Sequence, residues 1–295
     1  MMDFGRVITA MVTPFDSQLK VDVNKFEQLI DYLIVEQGSD SLVISGTTGE
    51  SPTLTDDEKI QLFEIAVRRA AGRCKIIAGT GSNDTAHSIH LTKEAQRIGV
   101  DGILLVAPYY NRPTQEGLYQ HFKAIAEITH LPIMLYNVPS RTSVNISAET
   151  TLRLAREFRQ IVATKEANDD FTQITNIIKQ APEGFRLYSG DDEITLPILA
   201  VGGYGVVSVV SHIVGRDLRA MIEAHVSGHV REAASIHGQL LPIFKGMFHC
   251  PHPCPNPVPM KYALRLHGMD VGGVRLPLVQ LNEQEQQFIS ALFKQ

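Results

Sequence analysis

One lysine of this chain stands where lysine is seldom found, at the end of an apolar run. Lys165 follows the residues IVAT in a segment that otherwise has the composition of a buried strand. A lysine is almost never fully buried without a partner, and usually its stem packs while its ammonium reaches water. Burial disfavours the ammonium form of a lysine, and only the neutral amine attacks a ketone. A buried lysine here therefore predicts Schiff-base chemistry, with Lys165 as the nucleophile.

Two further features could assist such a lysine. Tyr136 ends the run PIMLYN and is a candidate proton carrier for imine formation, although a half-buried structural tyrosine is the alternative. The stretch SGTTGES (45–51) places backbone N–H groups and the hydroxyls of Thr47 and Thr48 in a glycine-flanked turn. Such a turn could hold a carboxylate, and the alternative is a plain turn before a helix that Thr55 caps.

The sequence offers little support for a nucleotide-binding site, a serine nucleophile or a metal site. GTGSND (79–84) lacks the third glycine of a dinucleotide-binding loop and the lysine of a P-loop. No G-x-S-x-G nucleophile elbow is present. His249, Cys250, His252 and Cys254 are separated by prolines and lack a second ligand pair at a zinc-like spacing, so a Pro-rich turn is preferred. We therefore expect no metal and no nucleotide cofactor.

Composition limits the class of protein. The 295 residues are 44% hydrophobic and 20% charged, with a formal net charge of −5. No Lys/Arg block is long enough for a nucleic-acid or membrane surface, and no apolar run could span a bilayer. The N-terminus has no signal-peptide pattern, and three cysteines are too few and odd in number for a disulfide framework. We expect a soluble, cytoplasmic protein without nucleic-acid or membrane partners.

Eight short apolar runs alternate with amphipathic segments and predict the elements that position these residues. Such nearly continuous apolar runs are typical of parallel strands buried on both faces. They lie at 7–14, 41–46, 75–80, 101–108, 132–137, 161–167, 185–190 and 205–209. The alternation predicts an α/β fold, a (β/α)₈ TIM barrel over residues 1–228 with a C-terminal helical extension over 229–295. In such barrels the catalytic residues lie at the C-terminal ends of the strands, so the polar residues there should share one rim.

The motifs as a set resemble the dihydrodipicolinate synthase family of Schiff-base aldolases. They occur in order along nearly the whole chain: GTTGES (46–51), APYYNRP (107–113), YNVPSRT (136–142), ATKEA (163–167), SGDD (189–192), GGYGVVSV (202–209) and NPVPMK (256–261). The resemblance implies the condensation of pyruvate with aspartate 4-semialdehyde through a lysine Schiff base. The product would be 4-hydroxy-tetrahydrodipicolinate, at the first committed step toward diaminopimelate and lysine.

The resemblance also implies roles for individual residues. Lys165 matches the lysine that forms the pyruvate imine, and no cofactor beyond this covalent imine is implied. Tyr136, Thr47 and Tyr110 match a proton relay in which Tyr110 reaches the site of a neighbouring subunit. The matches around the substrates are Thr48 at the pyruvate carboxylate, Arg141 at the carboxylate of the semialdehyde, and Gly190 and Val207 near the imine. A homotetramer built from two tight dimers is implied, with a dimer as the other possibility.

A second site implied by the resemblance is expected to be degenerate. Relatives that lysine inhibits bind it between subunits, at positions matched here by Ser51, Pro52, Asp56, Lys59, Asn83, His87 and Tyr109. Sensitive members carry histidines in place of Asp56 and Lys59, and a glutamate in place of His87. Because the ammonium of lysine needs a carboxylate partner, we expect weak inhibition or none. Asp56 is the one acid that could take the place of the missing glutamate.

Two alternatives share the barrel fold. A sister aldolase, such as N-acetylneuraminate lyase or a keto-deoxy-sugar-acid aldolase, would differ at the second-substrate pocket. Arg141 favours a small acidic aldehyde over a polyol, because a guanidinium pairs a carboxylate in bidentate fashion. A non-catalytic, ligand-binding member would be expected to lack Lys165 or Tyr136, and both are present. The Cys-, His- and Pro-rich segment 249–259 departs from the family and is expected to lie far from the motifs that carry chemistry.

Overall fold

Eight parallel strands close into a barrel at the centre of the molecule, in a computed structural model that describes residues 2–251 and 254–294. The strands pair in chain order, and β8 pairs with β1 to complete the barrel. They are Val7–Ala10 (β1), Ser41–Ile44 (β2), Lys75–Gly79 (β3), Gly102–Val106 (β4), Ile133–Asn137 (β5), Ile161–Glu166 (β6), Arg186–Ser189 (β7) and Gly205–Ser208 (β8). The predicted barrel is confirmed, and most of the predicted runs continue beyond their strand into the loop at the rim.

Helices follow the strands along the chain. Those of the barrel are Val23–Val35 (α1), Asp56–Ala70 (α2), Thr85–Ile98 (α3), Gln115–Ala126 (α4), Pro139–Thr142 (α5), Ala148–Glu157 (α6), Phe171–Gln180 (α7), Thr195–Ala200 (α8) and Ser211–Val226 (α9). A 3₁₀ turn, Ser51–Thr53, precedes α2. Thr55 and Glu58 form a capping box at the start of α2, as their spacing predicts.

The apolar strands are explained by burial on both faces. Leu42 and Ile44 on β2 face outward and pack with the helices, whereas Val43 between them packs inside the barrel. Side chains in a strand alternate between its two faces, so both sets must be apolar here. Tyr188 on β7 is fully buried in the interior, and its hydroxyl donates to the Gly5 carbonyl at 3.0 Å. The interior is therefore a packed core, as is usual for these barrels.

The extension consists of Val230–Gly246 (α10), Val258–Leu266 (α11) and Glu283–Leu292 (α12). Both α10 and α11 pack against α9 and α12. The division of the chain at residue 228 stays a prediction. No helix within residues 2–251 and 254–294 has the length and apolarity needed to cross a membrane.

Candidate active site

Strands β5 and β6 bring Lys165 and Tyr136 side by side. The two residues are register partners, and each is only 5% exposed. The Lys165 Nζ lies 4.1 Å from the centroid of the Tyr136 ring. The predicted neighbourhood of the lysine and the tyrosine therefore exists, inside the barrel near the C-terminal ends of the two strands.

The residues that directly follow this pair point the other way and form a separate polar network. The buried Glu166 carboxylate accepts hydrogen bonds from Asn137 Nδ2 at 3.0 Å, from Thr164 Oγ1 at 3.1 Å and from Asn168 Nδ2. Burial raises the pKa of Glu166 to about 7, although these donors act to lower it. Since Asn137 and Glu166 are also register partners, the network fixes the strand ends that hold Tyr136 beside Lys165.

Gly190 lies against the stem of the lysine. Its N–H donates to the Glu166 carbonyl at 2.6 Å. A Cβ at position 190 would lie 3.0 Å from both Cγ and Cε of Lys165 and 2.8 Å from the Ala167 Cβ. A larger residue would therefore displace the lysine. Val207 on β8 is buried in the same interior cluster as Tyr136.

A cavity of about 240 Å³ opens at this end of the barrel. Six of the predicted site residues line it: Thr47, Ser51, Pro52, Tyr109, Tyr136 and Arg141. Arg141 is exposed and stands on the short helix α5, directly after β5. The cavity thus has hydroxyl groups on its walls and a guanidinium at its exposed side, which suits a small anionic substrate.

Thr48 does not line this cavity. Its contacts show that the expected position of segment 249–259, far from the motifs that carry chemistry, is wrong. Its side chain is buried, and its Oγ1 accepts a hydrogen bond from Asn256 Nδ2 at 2.9 Å. The segment 249–259 therefore does not lie far from the motifs that carry chemistry. The extension folds back over the barrel after α10, so that the residues before α11 meet the turn after β2.

The other part of that segment carries the cysteines and histidines that were weighed as metal ligands. Cys250 and Cys254 are buried free thiols, and His252 lies outside the described residues. Within the described ranges, no group of three or more His, Cys, Asp or Glu side chains is arranged to hold a metal ion.

Tyr110 differs from the other site residues in its exposure. It is 90% exposed and has a left-handed backbone conformation, with φ of +73°. Non-glycine residues rarely adopt this conformation. Its neighbour Tyr109 lines the cavity, whereas Tyr110 is not among the lining residues. Within one chain the structure does not bring Tyr110 together with Tyr136 and Lys165.

Three residues of the candidate lysine site, Asp56, Lys59 and His87, meet at the Asp56 carboxylate. Ser51, Pro52 and Tyr109 instead line the cavity at the barrel rim. His87 Nε2 lies 2.8 Å from Asp56 Oδ1, and the Lys59 Nζ lies 3.8 Å from the same oxygen. Burial opposes ionisation of Asp56, but the His87 hydrogen bond and the Lys59 charge hold its pKa below the usual value. The Asn83 carbonyl accepts from Asn111 Nδ2 at 2.9 Å. Asp56 is thus already engaged by two basic groups.

A lysine buried inside a (β/α)₈ barrel, beside a tyrosine that lines a cavity at the rim, defines a lyase of the Schiff-base aldolase class. The comparisons identify the family within that class. The chain belongs to the dihydrodipicolinate synthetase family, whose model matches residues 3–295. The predicted family and class of enzyme are therefore confirmed.

Individual relatives are similar along their full length. The chain is 57% identical over 290 residues to the 4-hydroxy-tetrahydrodipicolinate synthase of Bacillus subtilis (strain 168), covering 98% of each chain. A crystal structure of a dihydrodipicolinate synthase from Bacillus anthracis matches with a TM-score of 0.95 and 49% identity, covering 99% of this chain and 98% of that one. The enzyme from Cyanidioschyzon merolae with lysine bound matches with a TM-score of 0.95 and 45% identity, covering 98% and 97%.

Proposed function

We propose that this chain condenses pyruvate with aspartate 4-semialdehyde, giving 4-hydroxy-tetrahydrodipicolinate and water. The observation that carries the proposal is the buried Lys165, whose Nζ lies 4.1 Å from the Tyr136 ring centroid. Thr47 and Arg141 line the cavity that Tyr136 also lines. The names of the relatives support the same reaction.

The reaction follows from the chemistry of the imine. Neutral Lys165 adds to the ketone of pyruvate, and loss of water gives the imine. Loss of a methyl proton converts the imine to an enamine, whose carbon attacks the aldehyde of the second substrate. The amino group of the condensed product then displaces Lys165 by transimination, which closes the ring and regenerates the lysine. The protonated imine accepts the electrons of the breaking C–H bond, so the steps need no metal and no other cofactor.

The remaining residues have proposed roles around these steps. Tyr136 and Thr47 carry protons for imine formation, together with Tyr110 from a neighbouring subunit, because hydroxyls both donate and accept. Thr48 helps to bind the pyruvate carboxylate, Arg141 receives the carboxylate of the semialdehyde, and Gly190 and Val207 surround the imine. A homotetramer of two tight dimers would supply the neighbouring tyrosine. A cytoplasmic location agrees with the buried free thiols.

The decisive experiment is a coupled assay with pyruvate and aspartate semialdehyde, together with borohydride trapping by pyruvate alone. Turnover and a covalent label on Lys165 are expected. N-acetylneuraminate and a keto-deoxy-sugar acid serve as competing substrates. Turnover of either, without condensation of the semialdehyde, would refute the proposal in favour of a sister aldolase. Absence of both turnover and label would indicate a non-catalytic member of the family.

Tyr110→Phe is expected to lower turnover by about 10²-fold while leaving the fold intact, because it removes one relay hydroxyl from an exposed side chain. Steady-state kinetics and thermal unfolding measure the two effects. The matched control is Tyr32→Phe on α1, which removes a hydroxyl that is bonded to Gln37. Tyr32→Phe should leave turnover unchanged.

Mixing subunits tests whether Tyr110 acts across an interface. A hybrid of Tyr110→Phe with inactive Lys165→Ala subunits would contain some sites that combine an intact lysine with an intact tyrosine. Such hybrids should regain activity that neither parent has. Verified subunit exchange without any recovery would place the action of Tyr110 within its own chain.

Free lysine is expected to inhibit this enzyme weakly, with half-inhibition above about 1 mM, a binding free energy weaker than roughly −4 kcal/mol. The ammonium of the ligand needs a carboxylate, and Asp56 is already paired with His87 and Lys59. Lys59 also adds a like charge. Activity is titrated with lysine at saturating and sub-saturating pyruvate. His87→Glu restores an acid at this position and should increase sensitivity. Half-inhibition of the unmodified enzyme well below this concentration would contradict the proposed degenerate site.

A further inference from the structure

Two charged residues outside the proposed relay are almost completely buried against each other. Glu50 lies in the turn after β2 and Lys261 in α11, and their side chains are 1% and 3% exposed. The Lys261 Nζ lies 2.6 Å from Glu50 Oε1. Removing two charges from water is costly, and only good geometry with additional hydrogen bonds offsets that cost. A pair buried this deeply therefore constrains the two segments that carry it.

Both charges have further partners in the extension. The second carboxylate oxygen of Glu50 accepts from the Arg275 backbone N–H at 2.9 Å. The Lys261 Nζ donates to the Gly273 carbonyl at 2.7 Å and lies 4.2 Å from the centroid of the Phe15 ring. The ion pair thus joins the turn after β2 to two separate parts of the extension.

The turn held in this way is the one that carries the two adjacent threonines. The Glu50 N–H donates to the Thr47 carbonyl at 3.1 Å, and Glu50 itself has a left-handed φ of +57°. A non-glycine residue keeps this conformation only where its surroundings determine it. Asn256 Nδ2 donates to Thr48 Oγ1 at 2.9 Å, so the extension also fixes the second threonine.

We propose that Glu50, Lys261 and Asn256 are positioning residues for pyruvate, through which the extension holds the Thr47–Thr48 turn in the geometry that binds the substrate carboxylate. This inference rests on the proposed function. Binding a carboxylate with hydroxyl and backbone N–H donors depends on their preorganisation, because each donor must be aimed before the ligand arrives. The Thr48 hydroxyl has a single hydrogen atom, and its acceptance from Asn256 leaves that hydrogen free for the ligand.

Two variants remove the contacts without leaving a buried charge unpaired. Glu50→Gln with Lys261→Met replaces both members of the ion pair, a change that tends to preserve the fold. Asn256→Ala removes only the donor to Thr48. In both, the KM for pyruvate should rise at least about tenfold, while the KM for the semialdehyde changes by less than about twofold. Glu27→Gln with Arg68→Met, which removes an exposed ion pair between α1 and α2, is the matched control and should change neither.

A double-mutant cycle separates positioning from a general loss of folded protein. If Asn256 acts through Thr48, the effects of Asn256→Ala and Thr48→Val on the pyruvate KM should be strongly non-additive. Thermal unfolding is measured for every variant. If Glu50→Gln with Lys261→Met does not fold, the pyruvate KM of Asn256→Ala tests the inference alone. An unchanged pyruvate KM, or a lower kcat at unchanged pyruvate KM, would overturn the inference. Failure of pyruvate to label Lys165 in the unmodified enzyme would instead refute the proposed function.

Discussion

Replacing Lys165 with alanine is expected to abolish the pyruvate imine and to lower kcat by at least about 10⁴-fold, roughly 5 kcal/mol of activation free energy. The reason is that every subsequent step proceeds on the imine, and no second lysine is proposed to replace the lost amine. The side chain is buried beside Tyr136, so its removal leaves a small cavity rather than a disrupted surface.

The measurement combines turnover with covalent labelling. Unmodified enzyme, Lys165→Ala and a control, Lys123→Ala at a half-exposed position on α4, are each treated with pyruvate and borohydride. Only Lys165→Ala should lose both the label and the activity, while its thermal unfolding remains cooperative. Wild-type turnover in Lys165→Ala, or a label on another lysine of the unmodified enzyme, would make the assignment of the nucleophile wrong.

The position of Lys165 was predictable because its evidence is local. An apolar run of strand length predicts burial for the residues within it, so a lysine at its end is conspicuous without knowledge of any distant contact. Tyr136 follows from the same argument on the preceding strand. The parallel register of β5 and β6 then places the two residues together, and chain order alone predicts that pairing in a (β/α)₈ barrel.

The contacts made by the extension were not predictable in this way. Glu50 and Lys261 each stand in a recognised motif, but neither periodicity nor spacing relates a turn after β2 to a helix beyond the barrel. Only the path of the extension decides that they meet. The one signal in the sequence was that GTTGES carries an acidic residue and NPVPMK carries a basic one, which could pair. The same limit explains why segment 249–259 was wrongly expected to lie far from the site.

The contacts of Asp56 were also only partly predictable from the sequence. The sequence leaves open whether this acid could serve a bound ammonium. Lys59 approaches the Asp56 carboxylate from the same helix at the i,i+3 spacing, whereas the contact with His87 depends on how α3 packs against α2. The exposure of Tyr110 also depends on which way one left-handed residue turns its side chain, a choice that no strand or helix pattern specifies.

Arg141→Ala is expected to impair use of aspartate semialdehyde far more than capture of pyruvate. Arg141 lies on the exposed side of the cavity, directly after β5, whereas Lys165 is buried within the barrel. Loss of a charge-assisted pair with the carboxylate of the second substrate should cost about 2–4 kcal/mol of transition-state binding. This corresponds to a decrease of roughly 30- to 1,000-fold in kcat/KM for the semialdehyde.

Separate measurements of the two half-reactions test this division of roles. The rate of borohydride trapping with pyruvate alone should be nearly unchanged in Arg141→Ala, while steady-state kinetics with varied semialdehyde should show the loss. Arg141→Lys keeps the charge but not the planar, bidentate donor pair, so its kcat/KM should lie between those of the alanine variant and the unmodified enzyme. An equal loss of imine formation in Arg141→Ala would mean that the arginine acts on pyruvate or on the fold. The preference for a small acidic aldehyde over a polyol would then need another explanation.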